Sequence, residues 1–209
     1  LNACPGEITL VAIGPLTNLA TAESKSPGIL KKAKEIVIMG GAILHPGNVT
    51  PHAEFNIWFN PEAAVTVFNS RDDIVMLPLD VTTRLLLTQE RVRQISQVAP
   101  QSEIARFLNS LSEFMTGTAL SYRETNGVSG FLVHDAATLA YLFYPETLSL
   151  QRSTVRIETK GDWISGQTVI DRRAYAKPSA NAWIAMQVDE AKFFTSFVED
   201  LKFLLRNQT

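Results

Sequence analysis

The fold class is decided by residues 36–79, IVIMGGAILHPGNVTPHAEFNIWFNPEAAVTVFNSRDDIVMLPL. This stretch begins with a β-branched apolar run at residues 36–39 and ends with a second one at residues 74–79, and both are typical of buried strands. Between them, Asn60-Pro61-Glu62 predicts a helix start, because it combines a capping side chain, a proline and a first-turn acid. Strand, helix and strand in this order predict parallel pairing.

The flanking sequence extends the same pattern. Residues 8–13 predict another buried strand, and Gly14-Pro15 ends it before a helix. Further predicted elements are helices capped by Thr88, Ser102 and Asp189, and strands at residues 154–158, 168–171 and 182–188. We therefore expect an α/β fold with a parallel-rich open sheet flanked by helices. Because no repeat or linker interrupts the chain, residues 1–209 are interpreted as one domain.

The composition disfavours several classes of protein. The chain has 19 basic and 21 acidic residues, and no basic stripe suggests a nucleic-acid partner, unless a patch forms in three dimensions. Cys4 is the only cysteine, so an internal disulfide and a cysteine metal cluster are excluded. No apolar run is long enough for a membrane span. These features favour a cytoplasmic protein, although a chain that begins with Leu1 leaves room for a targeting segment ahead of it.

Several catalytic signatures are absent from the sequence. It contains no phosphate-binding loop, dinucleotide fingerprint or nucleophile elbow. Its three histidines, His45, His52 and His134, form no H-E-x-x-H motif, so a zinc hydrolase is disfavoured.

Polar residues follow the second predicted strand, at the sheet edge where parallel α/β proteins bind ligands. Asn48, Glu54 and Asn56 lie in a loop too long and too polar to be a minimal connection. Glu54 and Asn56 are two residues apart, so in an extended backbone both project to one side. A carboxylate beside a carboxamide suits a vicinal diol, because both accept hydroxyl protons and the amide also donates. The alternative is that these side chains only satisfy backbone groups of the turn.

A second candidate is the pair His134-Asp135, where a glycine-containing loop enters a helix. Asp135 could bind a hard cation through its carboxylate, while His134 donates a proton. Adjacent side chains point apart in regular structure, so a shared site requires an irregular helix start. The alternative is that Asp135 is simply a helix N-cap.

Together these segments resemble the inosine-uridine preferring nucleoside hydrolase family, a family of ribonucleoside hydrolases. The resemblance covers nearly the whole chain in the family's order, and the matching segments are residues 11–18 (VAIGPLTN), 39–41 (MGG), 47–48 (GN), 53–56 (AEFN), 60–64 (NPEAA), 79–82 (LDVT) and 134–135 (HD). It implies the family's fold, with a Rossmann-like core. It also implies hydrolysis of the N-glycosidic bond of ribonucleosides to ribose and free base.

The resemblance implies roles for individual residues. Ile13, through its backbone carbonyl, and Asp135 match ligands of a calcium ion (Ca2+) that orients the attacking water. Asn48, Glu54 and Asn56 match residues that hold the ribose hydroxyls, with Met39 close by; His134 matches the residue proposed to protonate the leaving base in purine-cleaving members. Asp80 also matches a family position, although a turn or capping role after a strand fits it equally. The resemblance further implies a homo-oligomer, either a dimer or a tetramer.

The sequence departs from the family at one point. The family's first strand ends in a D-x-D-x-x-x-D-D loop, which supplies the general base and most of the calcium ligands, and no such pattern occurs here. We therefore expect the opening βα units of the fold to be missing. We also expect this chain alone to bind calcium weakly and to have no useful activity. A non-catalytic ribonucleoside-binding module, an inactive fragment and a structural α/β domain remain as alternatives.

Overall fold

A computed structural model describes residues 1–173 and 179–207 of the chain. Within these residues the strands, in chain order, are β1 Thr9–Ala12, β2 Glu35–Met39, β3 Ile74–Leu77, β4 Leu86–Thr88, β5 Gly130–Leu132, β6 Leu148–Ser153, β7 Val155–Ile157, β8 Thr168–Ile170 and β9 Ala182–Val188. The α-helices are α1 Thr17–Lys25, α2 Phe55–Trp58, α3 Pro61–Ser70, α4 Leu79–Thr82, α5 Gln89–Ser96, α6 Glu103–Ser121, α7 Ala136–Phe143 and α8 Glu190–Arg206. Short 3-10 turns occupy Leu30–Lys32 and Pro145–Thr147.

The main sheet has the strand order β1-β2-β3-β9-β6. The first four strands are parallel to one another, and β6 pairs antiparallel with β9 at the edge. The predicted parallel-rich α/β sheet is therefore confirmed. Residues 154–158 do not extend this sheet, because β7 pairs instead with β8 in a separate antiparallel ribbon. Strand β6 and the short pair of β4 and β5 have no counterpart among the strands predicted from the sequence.

Several predicted strands are shorter in the structure, two of them in the main sheet. The strand predicted at residues 8–13 is β1, Thr9–Ala12. The strand predicted at residues 74–79 ends at Leu77, because Pro78 has no N–H for the ladder and Leu79 begins the helical turn α4. The predicted loop up to Phe59 also contains a short helix, α2.

Side-chain caps begin several helices, as the sequence predicts. Asn60 accepts a hydrogen bond from the Ala63 N–H, and Ser102 accepts one from the Ala105 N–H. Thr88 and Asp189 cap α5 and α8 in the same way. No helix in the described part of the chain is long and apolar enough to cross a membrane.

The central strands bury both of their faces. Ile36 and Ile38 of β2 pack into one hydrophobic cluster, together with Phe68 of α3. Val37 lies between them in sequence and packs into a second cluster, with Phe193 of α8. Because successive side chains of a strand point to opposite faces, only a continuous apolar run can fill both clusters.

Arg71 links the amino end of β3 to the chain that precedes β2. Its guanidinium donates to the backbone carbonyls of Leu30 and Ala33, both at 3.1 Å, and to that of Lys34 at 3.4 Å. It also pairs with Asp73, and only 8% of the Arg71 side chain is exposed. This contact with Asp73 raises the pKa of Arg71 and lowers the pKa of Asp73.

Replacing this guanidinium should destabilise the fold. We expect Arg71→Ala to lower the free energy of unfolding by about 2 kcal/mol, because main-chain carbonyls lose a charged donor in a half-buried place. Urea denaturation followed by circular dichroism measures the change. The matched control is Arg93→Ala, whose pair with Glu90 is exposed and screened by solvent, so this substitution should change the free energy of unfolding much less. Equal effects of the two substitutions would contradict the assignment.

Candidate functional site

A cavity of about 780 Å³ opens at the carboxyl ends of the parallel strands. Its walls come from the segments after β1 and β2 and from the turn between β5 and α7. All the site residues predicted from the sequence line it, and these are Ile13, Met39, Asn48, Glu54, Asn56, His134 and Asp135. The volume suits a small molecule, and the position is the one expected for ligands in a parallel α/β sheet.

Glu54 organises the polar wall of the cavity. Its side chain is buried, with 2% of the residue exposed, and it accepts hydrogen bonds from the N–H groups of Gly41 and Asn56, both at 2.9 Å. A third N–H, that of Ile57, lies 3.4 Å from the same carboxylate. Glu54 is thus the N-cap of α2 and also holds the glycine turn after β2.

The reason given for the pairing of Glu54 with Asn56 was wrong. Glu54 is extended, with φ −86° and ψ 145°, but Asn56 lies inside α2, so the two do not share one extended strand. They converge because the Glu54 carboxylate turns back to cap the helix that carries Asn56.

The asparagines keep complementary groups available to the cavity. Asn56 donates from Nδ2 to the Met39 carbonyl at 3.0 Å, and no donor within the described residues reaches its Oδ1. Asn48 accepts from the Phe55 N–H at 2.9 Å through Oδ1, which leaves its Nδ2 hydrogens unused by that part of the chain. Each side chain therefore satisfies a local backbone group, as in the structural alternative, and retains one group of the opposite kind.

The pKa of Glu54 is raised above its ordinary value. Burial is the largest cause, and the negative charge of Asp135 adds to it, while the backbone N–H bonds act in the opposite direction. The site therefore holds a carboxylate at an energetic cost that its three backbone donors partly offset.

Gly40 and Gly41 allow the main chain to pass close to this carboxylate. A Cβ on Gly40 would lie 3.2 Å from the Glu54 Oε2. Gly41 has a φ of +83°, and a Cβ there would lie 2.3 Å from the Met76 Cε. A side chain at Gly41 would be strained by the positive φ, and one at Gly40 would press on the Glu54 carboxylate.

Asp80 anchors the next part of the same loop. Its carboxylate accepts the N–H groups of Ile43 at 2.8 Å, Leu44 at 2.7 Å and His45 at 3.1 Å. These contacts support the structural alternative for Asp80, although its partners belong to the loop after β2 rather than to its own turn. Sequence reasoning could not find them, because they lie 35 to 37 residues away.

His134 lines the cavity from the turn that precedes α7. Its Nδ1 lies 2.7 Å from the Oγ1 of Thr82, a residue not predicted from the sequence. Burial, together with the positive charge of His45, lowers the pKa of His134 to about 4. The ring is therefore neutral at pH 7, so it is not a standing cation in the cavity.

Asp135 occupies the N-cap position of α7 but does not cap it. Its backbone is helical, with φ −69° and ψ −32°, and its side chain accepts no capping hydrogen bond. The carboxylate is left exposed, and both His134 and Asp135 line the cavity. Partial desolvation raises the pKa of Asp135.

The described residues supply only part of a metal site. Asp135 and the Ile13 carbonyl are hard oxygen donors on the same cavity. Calcium takes six to eight oxygen ligands. No group of three or more histidine, cysteine, aspartate or glutamate side chains in residues 1–173 and 179–207 is arranged to hold a metal. The donor chemistry fits calcium, but the donors present are too few to enclose it.

Known proteins are similar to this chain in sequence. The family model for inosine-uridine preferring nucleoside hydrolases matches residues 1–195. A non-specific ribonucleoside hydrolase of Klebsiella pneumoniae, RihC, is 39% identical over 186 residues, which are 89% of this chain and 58% of that protein. A pyrimidine-specific ribonucleoside hydrolase of Escherichia coli, RihB, is 37% identical over 201 residues, which are 96% of this chain and 62% of that protein.

Solved structures give the same result. The purine-preferring ribonucleoside hydrolase from Gardnerella vaginalis has a TM-score of 0.88 with this chain at 27% identity. The alignment covers 98% of this chain and 63% of that one. The chain thus spans about three fifths of the length of these relatives.

The raised pKa of Glu54 predicts a pH-dependent stability. Its folded-state pKa lies above the ordinary 4.5, so the stabilisation by its proton is full below that value and is lost as pH rises through the folded-state pKa. We expect the free energy of unfolding of the natural protein, relative to Glu54→Gln, to fall as pH rises above about 4.5. Urea denaturation at a series of pH values measures this difference.

The exposed helical residue Glu113 provides the matched control, as Glu113→Gln. Its difference from the natural protein should change less across the same pH range. If the Glu54→Gln difference stays constant with pH, the carboxylate is not held at the energetic cost described.

Proposed function

This chain belongs to the inosine-uridine preferring nucleoside hydrolase family, and on that premise we propose that its cavity binds a ribonucleoside for hydrolysis of the N-glycosidic bond. The products of that reaction are ribose and a free base. The observation that carries the proposal is the convergence of Asn48, Glu54 and Asn56 on one cavity with His134 and Asp135. The relatives' names differ in base preference, so the proposal extends only to ribonucleosides as a class.

The polar wall supports ribose binding through complementary hydrogen bonds. The unused amide hydrogens of Asn48 can donate to a hydroxyl oxygen, while the Oδ1 of Asn56 can accept a hydroxyl proton. Glu54 adds a carboxylate on the same wall. Because cleavage builds positive charge on the ribose ring, a fixed carboxylate close to it stabilises the transition state more than the ground state.

The position of His134 supports departure of the base. As the C1′–N bond breaks, its electron pair moves to the base, and a hydrogen donor facing that base stabilises the leaving group. His134 lines the same cavity as the ribose-binding residues. We propose that it donates to the leaving base.

Asp135 and the Ile13 carbonyl would hold part of a calcium site in this scheme. When bound, calcium lowers the pKa of a coordinated water and orients it. The remaining ligands and the general base are proposed to come from a D-x-D-x-x-x-D-D segment, which these 209 residues do not contain. The alternative is a non-catalytic module that binds ribonucleosides, and the same ribose wall supports it.

Two related features remain predictions. The family relationship supports a homo-oligomer, in which exposed aromatic residues such as Phe107 and Phe114 of α6 would be available for contact. A cytoplasmic location rests only on the sequence features given above.

Binding of ribonucleosides tests the proposal directly. We expect inosine and uridine to bind, and Asn56→Ala to weaken binding by about 10- to 100-fold, since it removes a buried acceptor worth about 1–3 kcal/mol. Isothermal titration calorimetry measures the affinity, and 2′-deoxynucleosides should bind less well because a hydroxyl is missing. The matched control is Asn69→Ala, an exposed asparagine outside the cavity.

Unchanged affinity in a folded Asn56→Ala variant would favour the structural alternative, in which the polarity of the loop is incidental.

Calcium dependence separates the enzyme from the binding module. We expect the 209-residue chain alone to bind calcium weakly and to release almost no free base, because two oxygen donors do not complete a calcium shell. Calcium titration and chromatographic detection of free base measure the two quantities. Full nucleosidase activity of this chain at millimolar calcium would contradict the expectation.

A further inference from the structure

Thr82 contacts the candidate donor His134 from a neighbouring strand end. It lies in α4, directly after β3, and it is completely buried, with 0% of the residue exposed. Its Oγ1 is 2.7 Å from the His134 Nδ1, although the two residues are 52 positions apart. The contact ties the turn after β3 to the cavity-lining turn that carries His134.

The surroundings of the Thr82 hydroxyl decide which of the two groups donates in this hydrogen bond. Within the described residues its Oγ1 has no other hydrogen-bond partner. The neighbouring Thr83 differs, because its hydroxyl donates to the Leu79 carbonyl at 2.7 Å. The only acceptor that this part of the chain offers to the Thr82 hydroxyl hydrogen is therefore the ring nitrogen of His134.

The two neutral forms of the histidine ring then differ in cost. If Nδ1 carries the ring hydrogen, it donates to Oγ1, and the hydroxyl hydrogen of Thr82 is left buried without an acceptor. A buried donor without an acceptor lowers the stability of the folded state. If Nδ1 is bare, the hydroxyl donates to it and both groups are satisfied. The ring hydrogen then resides on Nε2, which no residue in the described part of the chain engages.

We propose that Thr82 is a positioning residue that fixes His134 as the Nε2–H tautomer and so presents an N–H group to the cavity. The role at the leaving base rests on the proposed function. There, the Nε2–H group donates a hydrogen bond as the base nitrogen gains the electron pair of the broken C1′–N bond, and the hydrogen stays on Nε2. The tautomer itself depends only on the contact between Thr82 and His134.

Nitrogen-15 spectroscopy of the histidine ring tests the tautomer without any substrate. Long-range proton–nitrogen correlation spectra distinguish a protonated ring nitrogen from a bare one, and they also respond to a hydrogen bond accepted by the bare nitrogen. In the natural protein we expect His134 to show a bare, hydrogen-bonded Nδ1 and a protonated Nε2. A ring hydrogen found on Nδ1 would overturn the proposal outright.

Substitutions at Thr82 test the cause. Thr82→Val keeps the shape but removes the hydroxyl, so the Nδ1 resonance should shift towards that of a nitrogen without a hydrogen bond. Thr82→Ser keeps the hydroxyl and should restore the natural spectrum. Thr83→Val is the matched control, because it removes a neighbouring hydroxyl that bonds only to backbone. Unchanged ring resonances in a folded Thr82→Val variant would overturn the assignment of Thr82.

Nucleoside binding separates this inference from the proposed function. If the natural protein binds inosine, Thr82→Val should weaken inosine binding while free ribose binding stays the same. The reason is that Thr82 acts through His134, which contacts the base and not the ribose in the proposed scheme. Equal inosine affinity in the two proteins would overturn the role at the base. If the natural protein binds no nucleoside, the proposed function fails, and the ring spectra still decide the tautomer.

Discussion

The buried carboxylate of Glu54 is the interaction on which the arrangement of the cavity depends. Three backbone N–H groups converge on it, from the glycine turn after β2 and from the first turn of α2. One side chain therefore ties the end of a central strand to the helix that carries Asn56. A buried carboxylate is unfavourable unless hydrogen-bond donors of this kind surround it. The loop geometry therefore stabilises the charge, and the charge in turn holds the N–H groups of the loop in place.

The remaining walls follow from the topology of the sheet. Parallel strands end at the same edge, so Ile13 after β1 and Met39 at the end of β2 reach the cavity without any local signal that relates them. Hydrogen bonds then set the finer positions. Asp80 and Thr82 both lie in the turn after β3, yet Asp80 holds the loop after β2 and Thr82 contacts His134 in the turn before α7. The short helical turn α4 thus contacts two segments that contribute to the cavity, the loop after β2 and the turn before α7.

Much of the architecture could be predicted from the sequence, because short, β-branched apolar runs are typical of central strands and capping side chains mark helix starts locally. The family was likewise predicted from ordered motifs, and it is confirmed. The limits are physical. Strand β6 is partly exposed and mixed in composition, so no period identifies it. The extended pairing inferred for Glu54 and Asn56 failed because a four-residue helix has too few residues to show a helical pattern. Thr82 was missed because its partner lies far away in sequence and nothing local distinguishes its hydroxyl from that of Thr83.

Arg71 has a wider consequence for how this molecule can change. It acts at the amino end of β3, whereas the cavity lies beyond the carboxyl ends, and a strand of this length separates the two by about 13 Å. Effects of substitutions at that separation are generally additive. The amino edge is therefore a place where stability can be gained or lost without altering ligand contacts. A substitution near the cavity that changes binding preference and lowers stability can therefore be compensated by a stabilising substitution at the amino edge.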